Sequence, residues 1–310
     1  MKSMREKVEE YIRYKRGLGF KCNAFALRSF AKFADKRAFG DPLTLKTAIQ
    51  WATSSKAGQK RHADLIGRIG PFAKYLSMTD SRTELIPSKI LGLQYSRAEP
   101  YIYSEAEIIR LMESNPYHLK WGNDTFSSII GLLACTGMRI GEVLAIKCCD
   151  IDWDKKVLIV RNSKKLPMRL VPLDPSTMIH LLEYSRRWNG KQIKTGNEPF
   201  FVSCNGKTIN YRAFYHFWKQ ALNKTGLAGV HHGKNPRLHD LRHTFACNQL
   251  LRAYKEKRNI EATLNTLSVY LGHKCVEKTY WYLTGIPALL KLSSKRFEEY
   301  VKSRRKGKIS

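Results

Sequence analysis

Residues 157–173 read V-L-I-V-R-N-S-K-K-L-P-M-R-L-V-P-L, and they interrupt a chain whose apolar residues otherwise recur mostly at helical spacing. Residues 157–160 and 170–173 are short β-prone runs, and the stretch between them is polar and rich in lysine. Two such runs around a polar turn predict a β-hairpin. On its N-terminal side lies an apolar helix-like run, S-S-I-I-G-L-L-A-C at 127–135, followed by T-G-M-R-I-G-E at 136–142. On its C-terminal side, Pro175 opens a helix predicted to run to about Trp188. The expected fold is therefore mainly α with a small β-hairpin or sheet.

Farther out, two domains are expected. Residues 4–78 read as a helical module: Val8, Tyr11 and Ile12 fall at helical spacing, as do Ala26, Phe30, Phe33 and Ala34, and later Leu65, Ile69, Phe72 and Leu76. Lys and Arg fill the faces between them without alternating acidic residues, which fits a DNA-facing side better than an ordinary solvated surface. Helical periodicity lapses from about Thr79 to Tyr103. The boundaries drawn are a helical domain at 1–90, a linker at 91–103 and a second domain at 104–310. Ser104 with Glu107 three residues on is a capping box, opening a helix through Met112.

Composition narrows the partner. The 310 residues are 43% hydrophobic, enough to bury a core, so global disorder is excluded. Lys and Arg number 55 against 26 Asp and Glu, a formal net charge of +29. A polyanion that neutralises such an excess is the expected partner, and nucleic acid leads over anionic membrane. No apolar run approaches the ~20 residues that span a bilayer, and the N-terminus lacks the pattern of a signal or transit peptide. The cysteines at 22, 135, 148, 149, 204, 247 and 275 are odd in number and scattered, with no C-x-x-C pair. That fits a reducing cytoplasm better than a disulfide framework or a zinc site.

Four segments of the second domain carry chemistry. In T-G-M-R-I-G-E, a glycine before Arg139 at a helix junction allows the guanidinium to point into the fold, and Glu142 lies where it can hold it. The plainer reading is an internal salt bridge. In H-D-L-R-H at 239–243, His239 and Arg242 are spaced i, i+3, so a helix presents both on one side, a pairing suited to an oxyanion such as phosphate. In L-S-V-Y-L-G-H-K-C-V-E-K-T-Y-W-Y at 267–282, Gly272 ends one helix, His273 sits in the turn, and Tyr280 and Tyr282 follow on a short helix. At least one of those tyrosines is expected to be packing only. The hairpin turn adds Lys164 and Lys165. Two arginines, two histidines, a lysine and a tyrosine form a phosphoryl-transfer set that uses cationic side chains and a covalent nucleophile in place of metals.

In order and approximate spacing, the four segments resemble the tyrosine recombinase (phage integrase) family over most of residues 104–285. T-G-M-R-I-G-E resembles its first arginine box, K-K-L-P-M-R-L-V-P-L its hairpin lysine and the strand after it, H-D-L-R-H its H-x-L-R-H box, and L-G-H with T-x-x-Y its last. The resemblance implies that the nucleophile lies nine residues after His273, which selects Tyr282 over Tyr280. It also puts the lysine about five residues before Arg169, which favours Lys164 over Lys165. By analogy, Tyr282 would form a 3′-phosphotyrosyl bond and leave a free 5′-hydroxyl. Arg139 and Arg242 would hold the non-bridging oxygens, His239 and His273 would assist proton transfer, and Lys164 would protonate the departing oxygen. No metal or other cofactor is implied. The resemblance also implies a core-binding first domain, a C-shaped clamp on DNA and four protomers on synapsed sites. After Gly285 an apolar stripe predicts a C-terminal helix that either packs on its own domain or, as C-terminal segments in the family often do, docks on a neighbour. A type IB topoisomerase and a non-catalytic basic DNA-binding protein are the rival readings. One departure stands out: the stretch between Arg242 and His273 is longer than the family pattern and lacks its customary glycine.

Overall fold

The computed structural model describes residues 2–284, except 21, 23, 88, 89, 91–98, 118, 119, 162–167, 189–195, 204, 205, 274 and 276. The lysine turn with Lys164 and Lys165, and the C-terminal helix expected after Gly285, therefore lie outside the described residues. The chain divides into two compact units, Met1–Arg97 and Ala98–Ser310. Among the described residues, no helix is long and apolar enough to cross a membrane.

The first unit holds α1 (Met4–Gly17), α2 (Ala24–Arg37), α3 (Leu45–Thr53) and α4 (Gln59–Leu76). Ser3 and Glu6 close a capping box on α1, satisfying amides that the first turn leaves without helical partners. The apolar stripes meet in one core, where Val8, Phe30, Ile69 and Phe72 have no exposed surface. Tyr11 packs on Phe72 with ring centres 5.3 Å apart, and Phe30 meets Trp51 edge-on at 5.5 Å. The chain beyond α4 stays bound to this unit: the Glu84 amide donates to the Leu43 carbonyl (2.9 Å), and its carboxylate accepts from the Leu45 amide (2.7 Å).

In the second unit Tyr103 is buried, and its amide donates to Thr244 Oγ1 (3.0 Å). Next come α5 (Glu105–Glu113), with the Ser104–Glu107 capping box in place, and α6 (Lys120–Thr136). Helix α6 buries Phe126, Ile129, Ile130, Leu132 and Leu133, so it forms the axis of the core. A one-turn helix, α7 (Ile140–Val143), leads to a three-stranded antiparallel sheet in the order β1 (Ile151–Asp152), β2 (Val157–Val160), β3 (Arg169–Pro172). The two-residue strand β1 goes beyond the expected hairpin; two residues are too few for a period-2 pattern to be seen in sequence. In β2–β3, Leu158 pairs with Val171 and Val160 with Arg169. Leu158, Val160 and Val171 face the core.

Helices α8 (Pro175–Trp188), α9 (Tyr211–Lys224), α10 (Leu238–Lys255), α11 (Ile260–Leu271) and α12 (Glu277–Thr284) complete the unit. At the departure from the family pattern, α10 ends at Lys255. Lys257 then takes a left-handed φ of 58°, with its amide donating to Tyr254 O and that of Arg258 to Ala253 O. Lysine thus occupies a conformation that normally favours glycine, and the chain still turns into α11.

Candidate active site

The site is assembled at the carboxyl end of α11. A helix leaves its last carbonyls unpaired, and they carry its partial negative charge. Here three consecutive carbonyls each accept from a different arginine. Arg169 Nε donates to Tyr270 O (3.0 Å), Arg242 Nη2 to Leu271 O (2.5 Å) and Arg139 Nη2 to Gly272 O (3.3 Å). Gly272 is the left-handed C-cap, at φ 64° and ψ 54°, and the His273 amide closes the turn on Ser268 O (2.9 Å).

Arg139 arrives from α6. That helix stops at Thr136, Gly137 turns the chain at φ 61°, and Arg139 becomes the N-cap residue of α7. Glu142, three residues on, accepts from both the Arg139 amide (3.0 Å) and Arg139 Nη1 (3.0 Å). Its carboxylate also takes a two-point bond from Arg169, Nη1 to Oε1 at 3.1 Å and Nη2 to Oε2 at 2.6 Å. Burial alone would raise the Glu142 pKa, but the Arg169 and Arg139 hydrogen bonds outweigh it and hold the carboxyl at about 2.

Arg242 comes from the second turn of α10 and is only 1% exposed. Besides Leu271 O it donates from Nη1 to Gly137 O (2.8 Å), so one guanidinium ties α10 to both the α6–α7 turn and the end of α11. Burial, and then the charge of Arg139, pull its pKa down to about 10, which leaves it charged at neutral pH. His239, one turn earlier, keeps an exposed edge. Crowding by the surrounding protein, followed by the charge of Arg242, lowers its pKa below the ordinary histidine range.

Tyr282, on α12, is 4% exposed, whereas Tyr280 is 43% exposed. The Tyr282 ring meets two imidazoles, His273 stacked with ring centres 5.9 Å apart and His243 edge-on at 5.2 Å. His273 is held by a hydrogen bond between Nδ1 and Thr279 Oγ1 (2.8 Å). Burial raises the Tyr282 pKa, while the charge of Arg242 and a hydrogen bond from it work the other way, favouring the phenolate.

Arg139, His239, Arg242, His273 and Tyr282 are thus brought together from four parts of the chain, and Lys164 lies outside the described residues. Two side chains join them that sequence reasoning quoted without giving them a role. Arg169 served only to count back to the lysine, yet it is tied into the arginine cluster. His243 packs against both Tyr282, at 5.2 Å, and His239, at 4.9 Å. Burial and the neighbouring His239 lower its pKa to about 4. The sequence signal for Arg169 was an arginine inside an apolar strand, where an unpaired cation would be costly. Chemically, the cluster offers a phenol beside two cations and imidazoles able to exchange a proton.

A family model described as the phage integrase family matches residues 104–285. The chain is 36% identical over 313 residues to y4rB of Sinorhizobium fredii (strain NBRC 101917 / NGR234), named as an integrase/recombinase, covering 96% of this chain and 98% of that one. It is 26% identical over 183 residues to tyrosine recombinase XerC of Chlamydia caviae (strain ATCC VR-813 / DSM 19441 / 03DC25 / GPIC), covering 59% of this chain and 53% of that one. Among solved structures, the Tn1549 transposon integrase in complex with a circular intermediate DNA aligns with a TM-score of 0.66 at 18% identity, covering 97% of this chain and all of that one.

Proposed function

The chain belongs to the phage integrase family, and from that premise we infer that it is a site-specific DNA recombinase of the tyrosine type, with Tyr282 as its nucleophile. The observation that carries the assignment is Tyr282 itself, buried against His243 and His273 and within the field of Arg242. In the reaction, the Tyr282 oxygen attacks a backbone phosphorus and its proton passes to His239. The bond to the 5′ oxygen breaks, leaving a 3′-phosphotyrosyl ester. Arg139 and Arg242 offset the charge that grows on the non-bridging oxygens. His273 donates a hydrogen bond to the same phosphate, and Lys164 delivers a proton to the departing 5′ oxygen. Attack by a 5′-hydroxyl of the partner strand reverses these steps and rejoins the DNA. The ester conserves the bond energy, so no nucleotide or other cofactor is consumed.

The substrate is double-stranded DNA in the cytoplasm, held by the excess of 55 Lys and Arg over 26 Asp and Glu. Residues 1–90 act as the core-binding domain, residues 104–310 carry catalysis, and four protomers act on two synapsed sites. The test uses a supercoiled plasmid with two copies of the native site beside one with none. Recombinant circles from the first plasmid alone support the reading. Relaxation of both plasmids without recombinants would identify a topoisomerase, and DNA binding without any strand cleavage would identify a non-catalytic protein.

A further inference from the structure

We infer that Arg169 is a positioning residue for strand cleavage: it takes up the charge of Glu142, so that Glu142 can orient Arg139 without cancelling Arg139's pull on the phosphate. This rests on the reading of Arg139 as a phosphate-holding group.

The inference follows from counting bonds on one carboxylate. Glu142 has two oxygens and about four acceptor positions, and all four are used. Oε1 accepts from Arg139 Nη1 and Arg169 Nη1, and Oε2 accepts from the Arg139 amide and Arg169 Nη2. The Glu142 side chain is 6% exposed and that of Arg169 11%, so little solvent screens either group. Glu142 paired with Arg139 alone would fix the guanidinium and neutralise it. The second arginine changes the sum, because two cations and one anion leave a net positive charge. The split in geometry says which arginine keeps it. Arg169 gives Glu142 a two-point bond that includes the shortest of the four contacts on that carboxylate, 2.6 Å, and its third nitrogen, Nε, donates to Tyr270 O at 3.0 Å. Arg139 gives its side chain one bond to Glu142 and one longer bond, 3.3 Å, to Gly272 O. It is also the more exposed of the two, which leaves it free to meet a phosphate. Strand β3 thereby braces the α7 turn and the α11 end at once, through a largely buried side chain.

The test is single-turnover cleavage of a nicked suicide substrate by the full-length protein, with DNA affinity and thermal melting measured alongside. Arg169→Met is expected to slow cleavage roughly 10- to 100-fold, the scale of a misplaced catalytic group, while DNA affinity stays within about twofold of wild type. Arg169→Lys, which restores charge but not the two-point bond, should recover part of the rate. In a Glu142→Gln background, Arg169→Met should cost less than about threefold, because its route to Arg139 is already cut. An unchanged rate for Arg169→Met overturns the inference, and so does an equal loss in both backgrounds. A loss of cleavage that follows melting temperature alone, with no rescue by lysine, would make Arg169 a packing residue only. Arg139→Ala separates this from the reading beneath it. Normal cleavage by that variant refutes the role of Arg139, whereas loss of cleavage there with an indifferent Arg169 refutes only the positioning.

Discussion

Gly137→Ala is the substitution whose cost follows most directly from the geometry. Gly137 sits at φ 61°, and a Cβ there would stand 2.5 Å from Phe245 Cδ1 and 3.2 Å from Leu271 Cδ2. The left-handed backbone costs an alanine about 1–2 kcal/mol. Forcing a methyl group against a packed ring and a buried leucine adds about 1–3 kcal/mol. The expected loss is thus about 2–5 kcal/mol, which for a unit of this size lowers its melting temperature by roughly 4–20 °C. Any backbone shift that relieves the clash also moves Gly137 O, which accepts from Arg242 at 2.8 Å. Cleavage should therefore fall further than the folded fraction does. Gly141, four residues on in the same motif, is the control. It has an ordinary backbone and no atom within 4 Å of its added Cβ, so Gly141→Ala should be neutral or raise stability by up to about 1 kcal/mol. Thermal and urea unfolding of both variants, with single-turnover cleavage beside them, decides the matter. Equal stability of the two variants, or full cleavage by Gly137→Ala, would refute the reasoning.

Two further predictions concern charge. Glu142 is held at about 2 in the folded protein against an ordinary 4.5, a depressed value, so its stabilisation is complete above pH 4.5 and is lost as pH falls toward 2. That difference corresponds to about 3 kcal/mol. Urea midpoints between pH 5 and 2.5 should show it, and Glu142→Gln should flatten that part of the curve; identical slopes would contradict it. DNA binding should weaken steeply with salt, by roughly 10³–10⁵ between 50 and 200 mM if about 6–10 phosphates are contacted. A nearly flat response in a mobility-shift titration would count against a DNA clamp.

Local features were the legible ones. The Ser104–Glu107 capping box, the end of α11 at Gly272 and the helical spacing of His239 and Arg242 each depend on residues within one or two turns, so a short window of sequence contains the cause. Membership of the mainly α, small-sheet fold class was equally open to reading, because β-prone runs stand out against helical periodicity. What escaped depends on distance. Arg169 finds Glu142 across 27 residues and Tyr270 across 101, and no periodicity links them. His243 touches Tyr282 only because α10 and α12 pack together, and the two-residue β1 is too short to leave a pattern. The choice between Tyr280 and Tyr282 likewise came from resemblance. Two tyrosines two positions apart on a short helix look alike until the packing buries one and exposes the other.

The most direct test traps the covalent complex on a nicked suicide substrate, digests it with protease and locates the nucleotide by mass spectrometry. The phosphotyrosyl bond is predicted on Tyr282, with Tyr282→Phe binding DNA normally but giving no adduct and Tyr280→Phe giving one at the wild-type level. An adduct on Tyr280, or one that persists in Tyr282→Phe, would contradict the assignment of the nucleophile.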